Sequence, residues 1–169
     1  MDITKKVRLY PNKAMLAVLD SLCDYRRYCW NQALDVWMSL YPQRQEHLPA
    51  DLRLKVKQAV KDKSITFTDD EKALLIQYPA PTHYTVRKML TADKQDWQHQ
   101  LSSRALYLAV DDLAKAWKYF FNNKGNKALH AGKPTFRQKK NPKQGFKTDR
   151  SRIQNGKLVL DKPRQYKGD

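Results

Sequence analysis

The chain has 169 residues, 41% of them hydrophobic, and its 33 Lys and Arg against 17 Asp and Glu give a formal net charge of +16. This length allows one domain, or a main domain with a small second one, and the apolar fraction allows a sizeable core. The charge makes nucleic acid the first candidate partner and an anionic membrane surface the second. A membrane-spanning class is excluded, because no apolar run approaches the roughly 20 residues of a span.

The first predicted element is a short strand over residues 3–10, where apolar and polar side chains alternate. Pro11 ends it, and Asn12 can cap the helix that follows. The opening residues lack the apolar core of a signal peptide.

Cys23 and Cys29 point about 240° apart on a helix, which disfavours a disulfide, and no CxxC is present to hold zinc. This cysteine usage predicts a reducing, cytoplasmic compartment.

The longest predicted helix covers residues 13–39 and has a wide apolar face, which is typical of burial between other helices. Trp30 is interpreted as a core residue. Asn31 is a polar side chain beside it, which must find hydrogen-bond partners if buried or else contact a ligand. Pro42 and Pro49 predict a linker after this helix.

Further helices are predicted from capping signals and apolar periodicity. Thr68 and Glu71 form a capping box before an apolar run that Pro79 stops. Ser102 or Ser103 caps a further helix, which runs to about Asn122 and carries an apolar stripe that includes Trp117. Two shorter helices are predicted over residues 51–62 and 83–92.

A basic segment follows, residues 132–149, with six Lys or Arg against one Asp. Residues 117–169 together hold 15 Lys and Arg and three Asp and Glu, a net charge of +12. Phe136 and Phe146 interrupt the cations, and this pattern suits a polyanion with stackable bases. The alternative is a solvated basic loop. The two rings disfavour it and indicate that part of the segment is strand.

Asn155-Gly156 between two alternating runs predicts a type I′ hairpin, because both central residues of that turn need φ > 0. Two or three strands over residues 145–161, even with strand 3–10, are too few to close a barrel. The predicted fold class is therefore α+β, with a helical bundle inserted into an incomplete antiparallel β-barrel. The predicted divisions are a first strand at 1–11, a helical lobe at 12–125, and a basic, stranded part at 126–169.

Five blocks of this sequence resemble the N-terminal half of the TnpB (OrfB) family, the transposon-encoded RNA-guided nucleases related to type V CRISPR effectors. The blocks are KKVRLYPNKAM, RRYCWNQAL, SSRALYLAVDDLAKAWKYFF, GKPTFRQKKNPKQGFKTD and KLVL. The resemblance implies a wedge-like β-barrel and a helical recognition lobe, whose opening helices are often described as helix-turn-helix. It also implies guide RNA and target DNA as partners, and a prokaryotic cytosol.

The family's nuclease half, a RuvC domain with three Mg²⁺-binding carboxylates and a zinc ribbon, has no counterpart in this sequence. Residues 69–71 form a helix start, and Asp111 and Asp112 lie within a helix, so neither acidic group has the strand context of a metal site. We therefore expect a chain that is not an enzyme by itself and needs no cofactor. Mg²⁺ and Zn²⁺ are expected only with a nuclease half.

The candidate nucleic-acid contacts combine phosphate-binding cations, rings that stack or hold strands, and polar residues of the first helix. They are Lys133, Phe136, Arg137, Lys139, Lys140, Lys143, Phe146, Lys147, Arg150, Arg152, Arg26, Arg27 and Asn31. Two alternatives remain open: a guide-independent helix-turn-helix regulator of duplex DNA, and an interaction subunit that dimerises or joins a RuvC-bearing chain. The helix at 103–121 carries both signs of charge and fits a recognition helix poorly.

Overall fold

A computed structural model describes residues 8–126, 129 and 131–160, and this part of the chain is mostly helical, with one two-stranded antiparallel sheet. Its elements are α1 (Lys13–His47), α2 (Ala50–Lys61), α3 (Asp69–Gln77), α4 (His83–Ala92), α5 (Asp96–His99), α6 (Ser103–Asn123), β1 (Ser151–Gln154) and β2 (Lys157–Leu160). No barrel closes within these described ranges. The predicted strand 3–10 lies largely outside them, and residues 8–10 have no strand structure.

Helix α1 begins at the predicted cap, where Asn12 Oδ1 accepts a hydrogen bond of 2.8 Å from the Met15 amide. It does not end before Pro42, so the predicted linker is wrong there: the helix continues to His47. Pro42 loses one backbone hydrogen bond, but the last turns are held by packing. Arg44 donates to the Tyr78 carbonyl at 2.6 Å, and the His47 ring stacks on Tyr78 at 4.7 Å.

The core lies where α1 packs against α6, with α4 covering both. Its buried side chains come from the apolar faces of these three helices, because an amphipathic helix must cover its stripe against another element. Trp30, Trp37 and Trp117 are buried, and the Trp37 and Trp117 rings stack at 6.1 Å. The core assignment of Trp30 and the buried stripe of α6 are confirmed.

Helices α2 and α3 form a peripheral pair. Leu52 of α2 is buried, as is Leu48 just before it, whereas α3 has no buried residue. The predicted capping box is confirmed, since the Thr68 and Glu71 side chains each accept a hydrogen bond from the other's backbone amide. Lys55 holds α3 to α2 through a 2.6 Å ion pair with Glu71.

The hairpin of β1 and β2 is confirmed, with Ile153 opposite Leu158 in antiparallel register. Its turn residues have positive φ, 50° at Asn155 and 70° at Gly156, as a type I′ turn requires. The expectation that the basic segment contains strand is wrong. Residues 132–149 lie in no ladder, because their partners are side chains of α1 and α6.

Candidate nucleic-acid interface

The basic segment, residues 132–149, crosses α1 in the opposite direction to the helix. Its early part contacts Trp30, whose indole Nε1 donates to the Thr135 carbonyl at 2.9 Å. Its late part contacts Arg26, which donates to the Gly145 carbonyl at 3.1 Å. The exposed backbone of an extended segment needs such partners when no neighbouring strand supplies them. These contacts give the cations of the segment defined positions on the helix.

Asn31 and Arg137 form the central contact. The Asn31 side chain accepts a 2.8 Å hydrogen bond from the Arg137 amide and donates a 3.0 Å bond to the Arg137 carbonyl. An amide side chain thus pairs with both backbone groups of one residue, as a neighbouring strand would. The Arg137 guanidinium lies over the Trp30 ring, 3.7 Å from its centroid, a cation–π contact. Of the two predicted roles for Asn31, the structure shows internal hydrogen bonding.

Replacing Asn31 by alanine should therefore destabilise the protein by about 1–3 kcal/mol, because it leaves two partly buried backbone groups without partners. Urea denaturation measures this change. Gln32→Ala is the matched control, since Gln32 is the exposed neighbour on the same helix. Equal stability of the two variants would contradict the backbone-pairing role.

Asp112 of α6 joins two cations of this interface. Its carboxylate forms an ion pair with Arg26 and another, at 3.3 Å, with Lys147 of the basic segment. The Arg26 side chain is only 14% exposed, and its Nε has no hydrogen-bond partner among the described residues. Asp112 therefore faces the basic segment, and Arg26 and Lys147 are its two cationic partners.

The end of the basic segment is held by Arg104, at the start of α6. Arg104 forms an ion pair with Asp149, and this contact lowers the pKa of the Asp149 carboxyl. The same guanidinium lies 4.3 Å from the Tyr107 ring centroid. Both contacts are partly exposed, so their contribution to stability is modest. Their effect is to fix where the segment leaves α6 and enters the hairpin.

Between α1 and the basic segment lies a cationic cavity of about 380 Å³. Its lining residues are Cys23, Arg26, Arg27, Arg137, Gln138, Asn141, Lys143, Gln144 and Gly145. The Gln144 side chain donates to the Asn141 carbonyl at 2.6 Å and accepts from Arg27 at 3.2 Å, so it shapes one wall. Three guanidinium groups and one ammonium group line a cavity of phosphate-accommodating size.

Asp24 stands beside the cavity and balances part of this charge. It pairs with Arg27 at 2.8 Å and with Lys139 at 3.4 Å. Partial burial alone would raise the pKa of the Asp24 carboxyl, but these two cations lower it below its ordinary value. Burial and the adjacent Arg26 lower the pKa of the Arg137 guanidinium, which nevertheless remains charged at neutral pH.

The predicted contact residues fall into two groups. Internal contacts are made by Arg26, Arg27, Asn31, Arg137, Lys139 and Lys147. In contrast, Lys133, Lys140 and Lys143 are exposed and form no ion pair with another described residue. Arg150 and Arg152 are exposed at the start of the hairpin. Phe136 is 51% exposed, and Phe146 is half-buried near Leu22 and Leu160. The structure therefore separates residues that hold the basic segment in place from residues that face the solvent.

Sequence reasoning missed Arg104, Asp112 and Gln144, which hold or shape the basic segment. Charge balance was an available signal for Asp112 alone, because a segment with six cations needs acidic partners near its path. Spacing alone could not identify them, since Arg104 and Asp149 are 45 residues apart in sequence.

Within the described ranges, no cluster of three or more His, Cys, Asp or Glu side chains could hold a metal ion. No helix there is long and apolar enough to cross a membrane. Cys23 and Cys29 are both free thiols, as expected from their spacing, and burial raises the pKa of Cys29 to about 12.

A family model described as a helix-turn-helix domain, of the OrfB/IS605 type, matches residues 1–46. No curated protein and no solved structure matches the chain significantly. The described part of the matched range holds most of α1 as one continuous helix, and the first turn between helices falls at residues 48–49. The helix-turn-helix description suggests DNA binding, and the match shows that residues 1–46 are similar to the OrfB/IS605 transposase-associated family.

Proposed function

We propose that this chain is the guide RNA- and target DNA-binding portion of a TnpB/OrfB-like RNA-guided endonuclease. The observation that carries the proposal is the basic segment held along α1, with Arg26, Arg27 and Arg137 around one cavity. Guanidinium groups bind phosphate oxygens through paired donors and are only weakly hydrated, which suits them to partly buried phosphate sites.

Lys143 lines the same cavity, and Lys140, three residues before it, is exposed. With the +16 charge of the whole chain, they would attract a polyanion before any specific contact forms. Arg26 donates one bond to a backbone carbonyl and one to Asp112, which leaves its Nε without a partner in the described structure. A backbone phosphate in the cavity would supply acceptors for such groups.

A second candidate, the guide-independent DNA regulator, is favoured by one observation. Helix α2 follows α1 after a two-residue connection and carries Arg53, Lys57 and Lys61 four residues apart, on one face. A short basic helix after a turn is the arrangement that enters a major groove. The outward position of the basic segment is not explained by this alternative.

Competition between a structured RNA and a duplex DNA of equal length separates these candidates. We expect the RNA to bind more tightly, and Lys140→Ala with Lys143→Ala to weaken binding more than Lys57→Ala with Lys61→Ala. The opposite order, with duplex DNA preferred, would support the regulator.

Sequencing of RNA that copurifies with the expressed chain identifies any guide. A mass above the 19.9 kDa of one chain, measured without nucleic acid, would support a dimerising subunit instead.

We further expect the chain alone to leave DNA and RNA intact when Mg²⁺ or Mn²⁺ is added. Two-metal hydrolysis needs carboxylates that hold ions about 3.5–4 Å apart. The acidic residues considered for this role are used otherwise: Asp111 pairs with Lys115 at 2.7 Å, and Asp69 pairs with Lys72 at 2.8 Å. Gel electrophoresis of end-labelled substrates checks this. Metal-dependent cleavage that disappears in Asp112→Ala would contradict it, whereas cleavage only after a RuvC-bearing chain is added would fit a split enzyme.

A further inference from the structure

A second cavity, of about 390 Å³, opens where the basic segment begins, near the C-terminal third of α1 and the end of α6. We call it the aromatic groove. Its lining residues are Trp37, Met38, Tyr41, Pro42, Trp117, Phe120, Phe121, Lys124, Lys133 and Pro134. Arg26 and Tyr41 are 15 residues apart in α1, so the groove and the cationic cavity lie roughly 22 Å apart along one helix.

The rings of the groove form a nearly parallel series that passes from the core to the surface. Trp37 stacks on Trp117 at 6.1 Å, Trp117 on Phe121 at 5.5 Å, and Phe121 on Tyr41 at 6.2 Å, with interplanar angles of 9°, 22° and 27°. The inner two rings are buried, whereas Phe121 is 41% and Tyr41 is 45% exposed. The outer rings therefore present aromatic surface to solvent on a rigid base.

Two cations flank these rings. Lys124 and Lys133 line the groove, are exposed, and form no ion pair with any other described residue. A purely apolar partner would gain nothing from them. A planar group with a negatively charged attachment would use both features, since rings stack on its face and ammonium groups meet its charge.

From this combination we propose that the aromatic groove binds an unpaired nucleobase of single-stranded nucleic acid, stacked on Tyr41 and Phe121. Lys124 and Lys133 then contact the phosphates on either side of that base. The cavity volume lies in the range of small-ligand sites, about 300–1,000 Å³. The inference rests on the proposed nucleic-acid binding. The strand that places a base in the aromatic groove is the strand whose backbone also reaches the cationic cavity.

The test compares a short oligo(dT) with an oligonucleotide of the same length whose bases are replaced by abasic sites, so that the phosphates are unchanged. Fluorescence anisotropy measures Kd for the full chain. We expect the abasic strand to bind about 5- to 150-fold more weakly, the range for one stacked base. In Tyr41→Leu/Phe121→Leu, which keeps apolar side chains but removes the rings, this difference should largely disappear.

Tyr84→Leu is the control, because Tyr84 is an exposed ring, 64% accessible, on α4. A 2-aminopurine base within the oligonucleotide provides a readout on the wild-type chain, since stacking quenches its fluorescence. Thermal melting of each variant shows whether the fold is intact.

The outcomes separate the two proposals. Equal, salt-sensitive binding of both strands to the wild-type chain, without quenching, would overturn the base site and leave the proposed function in place. A base-dependent difference that persists in the Leu variant would overturn the base site too, because the bases would then be recognised elsewhere on the chain. Failure to bind either strand or structured RNA would overturn the proposed function and the base site together.

Discussion

Structured RNA should lose about 10³–10⁵-fold in affinity for this chain as salt rises from about 50 to about 200 mM. That loss corresponds to about 6–10 phosphate contacts. The expected contacts are the outward cations Lys133, Lys140 and Lys143, with arginines of the cationic cavity and of the hairpin. Because each contact releases counterions, the log–log slope should be several units in magnitude, at roughly 0.7–0.9 per contact. Anisotropy titrations at several salt concentrations measure this slope.

Single substitutions test the assignment of these contacts. Lys140→Ala should reduce the magnitude of the slope by about 0.7–0.9 and weaken binding to all RNA sequences equally. Lys118→Ala is the matched control, since Lys118 is an exposed lysine of α6 and should leave the slope unchanged. A slope near −1 for the unmodified chain would contradict multi-phosphate binding.

Truncation of Trp117 to alanine should cost about 3–5 kcal/mol in the free energy of unfolding, as is typical for a buried large aromatic. Trp117 contacts Trp37, Phe120 and Phe121, and its loss opens a cavity between α1 and α6. This cost is comparable with much of the stability of a small domain, so the variant should be largely unfolded near body temperature. Thermal and urea denaturation, followed by circular dichroism, measure it.

Tyr119→Ala provides the comparison within α6. Tyr119 is two residues away and 49% exposed, so its truncation should change stability by no more than about 0.5 kcal/mol. Normal melting of Trp117→Ala combined with impaired RNA binding would show that Trp117 is a ligand-contacting residue and not a core residue.

Local chemistry was sufficient to predict several elements before the structure was known. The capping box at Thr68 and the Asn155-Gly156 turn depend on residues within a few positions of each other, so the sequence specifies them directly. For α6 the sequence offered Ser102 or Ser103 as the cap, and the structure has Ser102. The buried stripe of α6, including Trp117, follows equally from a 3.6-residue period. Charge distribution likewise located the basic segment.

Interactions between distant residues determined the rest. Pro42 looked like a helix stop, but contacts from Arg44 and His47 to Tyr78 keep α1 helical through it. The Phe rings of the basic segment suggested a strand, but its backbone partner is Asn31, 106 residues away, instead of another strand. The sequence by itself determined the helices other than α5 and the end of α1, where the hairpin turns and where the positive charge lies, because these follow from neighbouring residues. Only the tertiary structure decided which cations are internally paired and which rings form the aromatic groove, because partners far apart in sequence meet only when α1, α6 and the basic segment pack together.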